Sequence, residues 1–166
     1  LALTTNANTA NEGNMAITDS HGDYNGSNAR LAPAGDHFSM QYTSNFSMAA
    51  WINLSSAANG DTIMGKQLAT AAANGYRFYI GPNTNLVFQR SKNVGNNNYT
   101  EIRSPENSLV LNTWIHVAVT HGTAIGGGFD AANDLLYING IVQVPTVVKD
   151  SLVSSMISGD PFRIGS

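Results

Sequence analysis

The chain has 166 residues and no cysteine, which is enough length for one domain and excludes a disulfide scaffold and any thiolate metal site. Charged residues make up only 11% of it, against about 25% in a typical soluble domain, and the net charge is −3. Lys and Arg are scattered and no apolar run approaches the roughly 20 residues of a membrane span, so we expect neither nucleic-acid binding nor a membrane span.

The first part of the chain differs in composition from the rest. Residues 1–22 are rich in Asn, Thr and Ala with weak periodicity, which indicates an irregular leader or a first strand. From residue 23 to residue 166, short β-like runs alternate with Gly, Asn, Pro and Ser, which indicates a single β domain over residues 23–166.

Residues 46–54 (FSMAAWINL) give the clearest strand prediction, because alternation divides them into an apolar and a mixed face. The apolar face holds Phe46, Met48, Ala50, Ile52 and Leu54. The mixed face holds Ser47, Ala49, Trp51 and Asn53. Trp51 and Trp114 both lie in predicted strands, and tryptophan is highly buried on average, so we expect both in the core or between sheets rather than as platforms for sugar rings.

Two hairpins are predicted further along the chain. Residues 76–80 and 86–90 are joined by five residues that contain Gly and Pro. Residues 135–138 and 141–144 flank Asn139-Gly140, a strong hairpin signal because both turn positions of a type I′ turn need positive φ.

Two more runs complete the β pattern. Residues 113–120 (TWIHVAVT) are β-branched and aromatic, which favours a half-buried or fully buried strand, and residues 161–164 open a last strand. His116 and His121 are five positions apart and therefore fall on opposite faces of one strand. Many short strands with regular turn signals predict an all-β sandwich or barrel.

Five segments, in order, resemble the concanavalin A-like lectin/glucanase superfamily in its laminin G-like jelly-roll branch. They are YNGSNARL (24–31), FSMAAWI (46–52), WIHVAVT (114–120), LYING (136–140) and FRIGS (162–166). The resemblance implies an all-β fold of two antiparallel sheets packed face to face. Members mostly bind glycans, proteins or surfaces, often with calcium at a loop rim. The family pattern continues into a closing strand that is not found after FRIGS, so we expect this strand to be missing or to come from another segment or another chain.

Catalysis is not expected from the carboxylates. Glycoside hydrolysis needs two carboxyl groups roughly 5–9 Å apart, which the glucanases of this superfamily carry as Glu-x-Asp-x-x-Glu on one strand. Here Glu101 and Glu106 are five positions apart with a proline between them, and we interpret both as residues of a solvated loop. We therefore expect a protein that is not an enzyme.

Two loops are candidate sites. Asp130, Asn133 and Asp134 crowd hard oxygen ligands into one loop, as calcium requires, although such residues also form turns without a metal. Asn96, Asn97 and Tyr99 offer amides for sugar hydroxyls and a ring for stacking, and a plain hairpin loop is the alternative.

The sequence therefore predicts a non-catalytic module that recognises carbohydrate or a cell surface, within a larger extracellular or virion/particle-surface protein. The alternative is a structural virion, fibre or decoration component whose sandwich assembles with other chains. The low charge and the abundance of Asn, Thr, Ser and Gly suit both.

Overall fold

The computed structural model describes residues 16–18, 21–23, 38–56, 59–67, 74–122 and 130–165. The resemblance segment 24–31 lies outside them. The described residues form β-strands joined by turns, with two single 3-10 turns at Pro82–Thr84 and Ala131–Asn133. The strands are β1 Ala16–Thr18, β2 His21–Asp23, β3 Phe46–Asn53, β4 Thr62–Gly65, β5 Gly75–Ile80, β6 Leu86–Asn93, β7 Asn98–Arg103, β8 Trp114–His121, β9 Asp134–Ile138, β10 Ile141–Val142, β11 Thr146–Asp150 and β12 Arg163–Ile164.

The strands form two antiparallel sheets and one small hairpin. One sheet has four strands in the order β10-β9-β8-β3, and the other has six in the order β11-β7-β6-β5-β4-β12. Strands β1 and β2 pair with each other. This arrangement confirms the prediction of an all-β, two-sheet antiparallel sandwich.

The strand predicted over residues 46–54 is confirmed as β3, and its two faces are as the alternation predicted. Met48 is buried, and Phe46 and Ile52 pack against the core. Strand β8 shows the same alternation, with Ile115 buried and Trp114 exposed.

Both predicted hairpins are confirmed. Strands β5 and β6 pair from Tyr76 opposite Arg90 to Ile80 opposite Leu86. In the second hairpin, Asn139 and Gly140 have φ of 50° and 78°, the two positive values that a type I′ turn requires.

The sequence interpretation missed two strands of the six-stranded sheet, β7 and β11. Glu101 lies in β7 with 4% of its surface exposed, so the prediction that it belongs to a solvated loop is wrong. Glu106 does lie in an exposed loop, where it accepts a hydrogen bond from Asn83 at 3.0 Å. Strand β11 pairs with β7 and carries a β-bulge between Val147 and Lys149.

One apolar core fills the space between the two larger sheets. Its most buried members include Phe78, Leu86, Phe88, Ile102, Val117, Val119, Leu136 and Met156. Phe46 of β3 reaches across to the opposite sheet, where its ring lies 5.2 Å from that of Tyr76 and 6.0 Å from that of Phe88. The inward side chains of the two sheets therefore pack in the core, and the outward faces of the sheets are available for other contacts.

Candidate functional site

The outward side of the four-stranded sheet presents a continuous set of side chains from β3, β8 and β9. We call this set the aromatic face. It consists of Ser47, Ala49, Trp51, Asn53, Trp114, His116, Ala118, Thr120, Leu135 and Tyr137.

Two tryptophans dominate the aromatic face. Trp51 is 64% exposed and Trp114 is 46% exposed, so the prediction that both are core or inter-sheet residues is wrong. The physical reason is alternation: Ile52 and Ile115 take the inward positions, which turns each neighbouring tryptophan outward. Large apolar side chains left exposed together mark an interaction surface.

The tryptophans belong to one cluster because the register of β3 and β8 places them side by side. Trp51 lies opposite His116, and their rings are 5.4 Å apart at 61°. Trp114 lies opposite Asn53, two pairs further along the ladder and therefore on the same face, so the two tryptophans are diagonal neighbours. Diagonal positions are typically about 7–8 Å apart, which large aromatic rings can span.

The tip of the β9–β10 hairpin holds His116 in place. The His116 backbone N–H donates to Oδ1 of Asn139 at 2.9 Å, and the Asn139 N–H donates to the His116 carbonyl at 2.7 Å. These two hydrogen bonds join the turn residue Asn139, which has a positive φ, to the histidine whose ring contacts Trp51.

The aromatic face has no Asp, Glu, Lys or Arg among its ten residues. Its polar groups are hydroxyls, one amide, one imidazole and the indole N–H groups. Flat apolar rings next to such groups suit a ligand that offers C–H surfaces and hydroxyls together.

The loop residues predicted to bind a ligand lie elsewhere. Asn96 and Asn97 are exposed at the tip of the β6–β7 hairpin, where the Asn96 N–H donates to Oδ1 of Asn93 at 3.0 Å and Asn97 has a φ of 57°. Tyr99 is half-buried on β7. All three lie in the β6–β7 hairpin, whose strands belong to the six-stranded sheet, so the structure does not bring them to the aromatic face. Their role in binding stays a prediction.

The outward side of the six-stranded sheet carries a buried set of polar side chains, which we call the polar cluster. It consists of Gln67, Tyr79, Gln89, Ser91 and Glu101. Glu101 accepts hydrogen bonds from Tyr79 at 3.2 Å, Gln89 at 2.7 Å and Arg103 at 2.8 Å. Gln67 donates to Gln89 at 3.1 Å and to Ser91 at 3.2 Å, while its Oε1 is buried without a partner. The donors around Glu101 assign this carboxylate to a structural network.

Burial changes the titration of groups beside the polar cluster. It raises the pKa of Tyr79 above its usual value, and the nearby negative charge of Glu101 raises it further. Burial lowers the pKa of Arg77, whose guanidinium lies 4.2 Å from the centre of the Tyr79 ring. Burial also raises the pKa of Asp61, against the opposing effect of the positive charge of Arg77.

Protein groups engage the carboxylates of both aspartates among the predicted calcium ligands. Oδ1 of Asp130 accepts from the amide of Asn133 at 2.9 Å. Asp134 is 1% exposed and lies 2.8 Å from Nη2 of Arg90 and 2.6 Å from Nδ1 of His121, so both of its carboxylate oxygens are engaged. A calcium ion at Asp134 would face a guanidinium, and the three residues as placed therefore do not fit a calcium site.

The described residues contain no group of three or more His, Cys, Asp or Glu that could hold a metal ion. Among the same residues, no helix has the length and apolar character needed to cross a membrane.

Comparison with known proteins identifies a family. The laminin G model described as the concanavalin A-like lectin/glucanases superfamily matches residues 7–166. Searches of the curated proteins and of the solved structures found no match.

Proposed function

Because the chain belongs to the concanavalin A-like lectin/glucanases superfamily, we propose that it is a non-catalytic module that binds carbohydrate through its aromatic face. The observation that carries this proposal is the pair of outward tryptophans, Trp51 and Trp114, on neighbouring strands. Large apolar side chains that are exposed together mark interaction sites or aggregation liabilities, so the exposure of these two rings favours a binding role.

Recognition of sugar uses both kinds of group on the aromatic face. The indole rings offer flat apolar surface to the C–H side of a sugar ring. The hydroxyls of Ser47 and Thr120 and the amide of Asn53 lie on the same face and can exchange hydrogen bonds with sugar hydroxyls.

The non-catalytic part of the proposal is supported by the positions of the glutamates. The carboxylate of Glu101 is held by Tyr79, Gln89 and Arg103, and Glu106 lies in a separate exposed loop bound to Asn83. A glycosidase would need two carboxyl groups facing one scissile bond.

We further propose that the module works within an extracellular or particle-surface protein. The support is compositional: charged residues are scarce, and amides and hydroxyls supply most of the polar surface. No cysteine argues for or against this location.

The test is a glycan array probed with the wild-type chain and with Trp51→Ala, Trp114→Ala and the double variant. We expect binding to at least one class of glycan, and a loss of about tenfold or more in each single variant, because buried tryptophans dominate the affinity of most interfaces. Val153→Ala, which shortens another highly exposed apolar side chain but lies beside Asn98 of the six-stranded sheet, is the matched control and should bind normally.

Two results would contradict the proposal. One is an array on which the wild-type chain binds nothing, and the other is a glycan signal that survives in the double variant. Repeating the array in EDTA tests the calcium prediction separately, since the aromatic face contains no carboxylate.

A second candidate function is assembly with other chains, and one observation favours it. Exposed apolar residues concentrate between β10 and the segment after β11: Ile141, Val142, Val144, Val147, Val148 and Val153. Sedimentation that gives a defined oligomer, together with its loss in Val144→Ser/Val153→Ser, would support assembly. A monomer at all concentrations would exclude association of this chain with itself.

A further inference from the structure

The outward side chains of the four-stranded sheet form rows that run across the strands, because antiparallel partners lie directly opposite one another. The middle row is Ala49, Ala118, Tyr137 and, on the last strand of the sheet, Val142. On one side of it lies the row of Trp51 and His116, and on the other the row of Ser47, Thr120 and Leu135.

Over β3 and β8 the middle row is much lower than the row of Trp51 and His116 and slightly lower than the row of Ser47 and Thr120, since Ala49 and Ala118 each end at a single methyl group. We therefore expect a shallow groove across these two strands, bounded at β9 by the larger side chain of Tyr137, with Val142 of β10 beyond it. Rows on one face are two residues apart, or about 7 Å, so the two walls are separated by roughly 14 Å. Neighbouring strands are about 4.8 Å apart, which gives the groove a length of roughly 10 Å from β3 to β9.

The two walls of the groove differ in chemistry. One wall is aromatic, with the edge-packed pair Trp51 and His116. The other wall presents the hydroxyls of Ser47 and Thr120. A sugar ring has C–H groups and hydroxyl groups on different sides, so a short saccharide lying along the alanine row can meet both walls at once.

The groove also selects by charge. The chain has 8 Lys and Arg residues in total, and none lies on the aromatic face. Sulfates and carboxylates of acidic glycans bind strongly where Arg or Lys can pair with them, and here they would lose water without gaining such a partner.

We infer that the ligand is an uncharged oligosaccharide that lies across the strands, on the row of Ala49 and Ala118 between the Trp51 and Ser47 walls. This inference rests on the proposed function, but it adds the ligand class and its direction. It makes Ala49 and Ala118 specificity-determining residues. Alanine as a residue type would not by itself suggest that role.

The experiment measures binding of the wild-type chain to neutral polysaccharides (β-glucan, mannan, galactan and chitin) and to acidic ones (heparin, alginate and polygalacturonate), at low and high salt. We expect binding to a neutral probe that changes less than twofold with salt. We expect Ala118→Leu and Ala49→Leu to weaken it at least tenfold, because either leucine fills the groove. Ala132→Leu, at an exposed alanine of the 3-10 turn before β9, is the matched control and should bind as the wild type does.

The outcomes separate this inference from the proposed function. Preference for an acidic probe with strong salt dependence overturns the neutral ligand, and loss of binding in Trp51→Ala with normal binding in Ala118→Leu overturns the direction across the strands. Binding to no probe, or binding unaffected by Trp51→Ala, overturns the proposed function itself. A dimer that Trp51→Ala dissociates overturns both, because a second copy then covers the face. Thermal unfolding of each variant checks that the fold is kept.

Discussion

Nη2 of Arg90 on β6 lies 2.8 Å from Oδ2 of Asp134 on β9, and this ion pair joins the two sheets inside the sandwich. Both side chains are almost fully buried, and the other carboxylate oxygen of Asp134 contacts Nδ1 of His121 on β8. Nε2 of His121 in turn contacts the carbonyl of Tyr42 at 2.9 Å. The three residues thus form one polar network that crosses the interior of the sandwich.

We expect Asp134→Asn to lower the free energy of unfolding by about 3–5 kcal/mol, because it leaves the Arg90 guanidinium buried beside a neutral amide. The measurement is urea unfolding at neutral pH. The double variant Arg90→Met/Asp134→Leu should recover most of the loss, since a buried ion pair can be replaced by apolar side chains at little cost.

Asp130→Asn is the control for this network, because Asp130 is exposed in the same loop and should change stability by less than about 0.5 kcal/mol. Equal losses in the free energy of unfolding for Asp134→Asn and Asp130→Asn would contradict this prediction. Stabilisation by calcium that disappears in Asp134→Asn would instead restore Asp134 as a metal ligand.

Trp51→Ala and Phe88→Ala should differ sharply in stability, although each removes a large aromatic ring. Phe88 is 1% exposed in the core, and its removal should cost about 3–5 kcal/mol. Trp51 is outward, and we expect a change of less than about 1 kcal/mol. Chemical denaturation of both variants checks this, and a loss above 2 kcal/mol for Trp51→Ala would show that Trp51 is structural.

The stability of the domain should fall at alkaline pH. Burial raises the pKa of Tyr76 and of Tyr79 above the usual value near 10, so both stay protonated in the folded chain after the unfolded chain has begun to ionise. Their contribution is therefore complete below about pH 10 and is lost as the pH rises further. Urea midpoints between about pH 8 and 11 measure the fall, and Tyr76→Phe/Tyr79→Phe should flatten it. An equally steep fall in that variant would assign the effect to other groups.

Gly75→Ala and Gly140→Ala should separate backbone strain from steric overlap. Both glycines have positive φ, 118° and 78° respectively. A Cβ at Gly140 would meet nothing within 4 Å, so Gly140→Ala should cost only about 1–2 kcal/mol. A Cβ at Gly75 would overlap the carbonyl oxygen of Lys66, and we expect Gly75→Ala not to fold. Circular dichroism and thermal unfolding distinguish the two results, and a stable Gly75→Ala variant would be the contrary outcome.

Local signals were sufficient for much of the fold. Strand β3 follows from strict alternation between Phe46 and Ile52, and the β9–β10 turn follows from Asn139-Gly140. Strand β7 is not predicted because its polar side chains are also typical of a loop. Glu101 can be buried only because donors from β5 and β6 lie beside it, and that pairing is not visible in residues 98–103 themselves.

The predictions about the site that are wrong rest on residue type rather than on where each residue lies in its strand or sheet. Alternation placed Trp51 with Ser47 and Asn53 on the mixed face, but the average burial of tryptophan argued for the core. The partner of Asp134 is 44 residues away in the sequence, so a loop rich in oxygen ligands could not reveal the ion pair. The position of Trp51 follows from alternation within β3, whereas the ion pair depends on how the two sheets pack, which residues 130–134 alone do not show.

The β-bulge in β11 has a consequence for solubility. This strand lies at one end of the six-stranded sheet as described, and Val147 and Val148 are exposed on it. A straight edge of that composition would be a template for stacking of chains into fibrils. The bulge interrupts the regular ladder beside Lys149, and a charged, bent edge resists such stacking. The same irregularity therefore opposes fibril-like pairing at an edge where Val147 and Val148 are exposed.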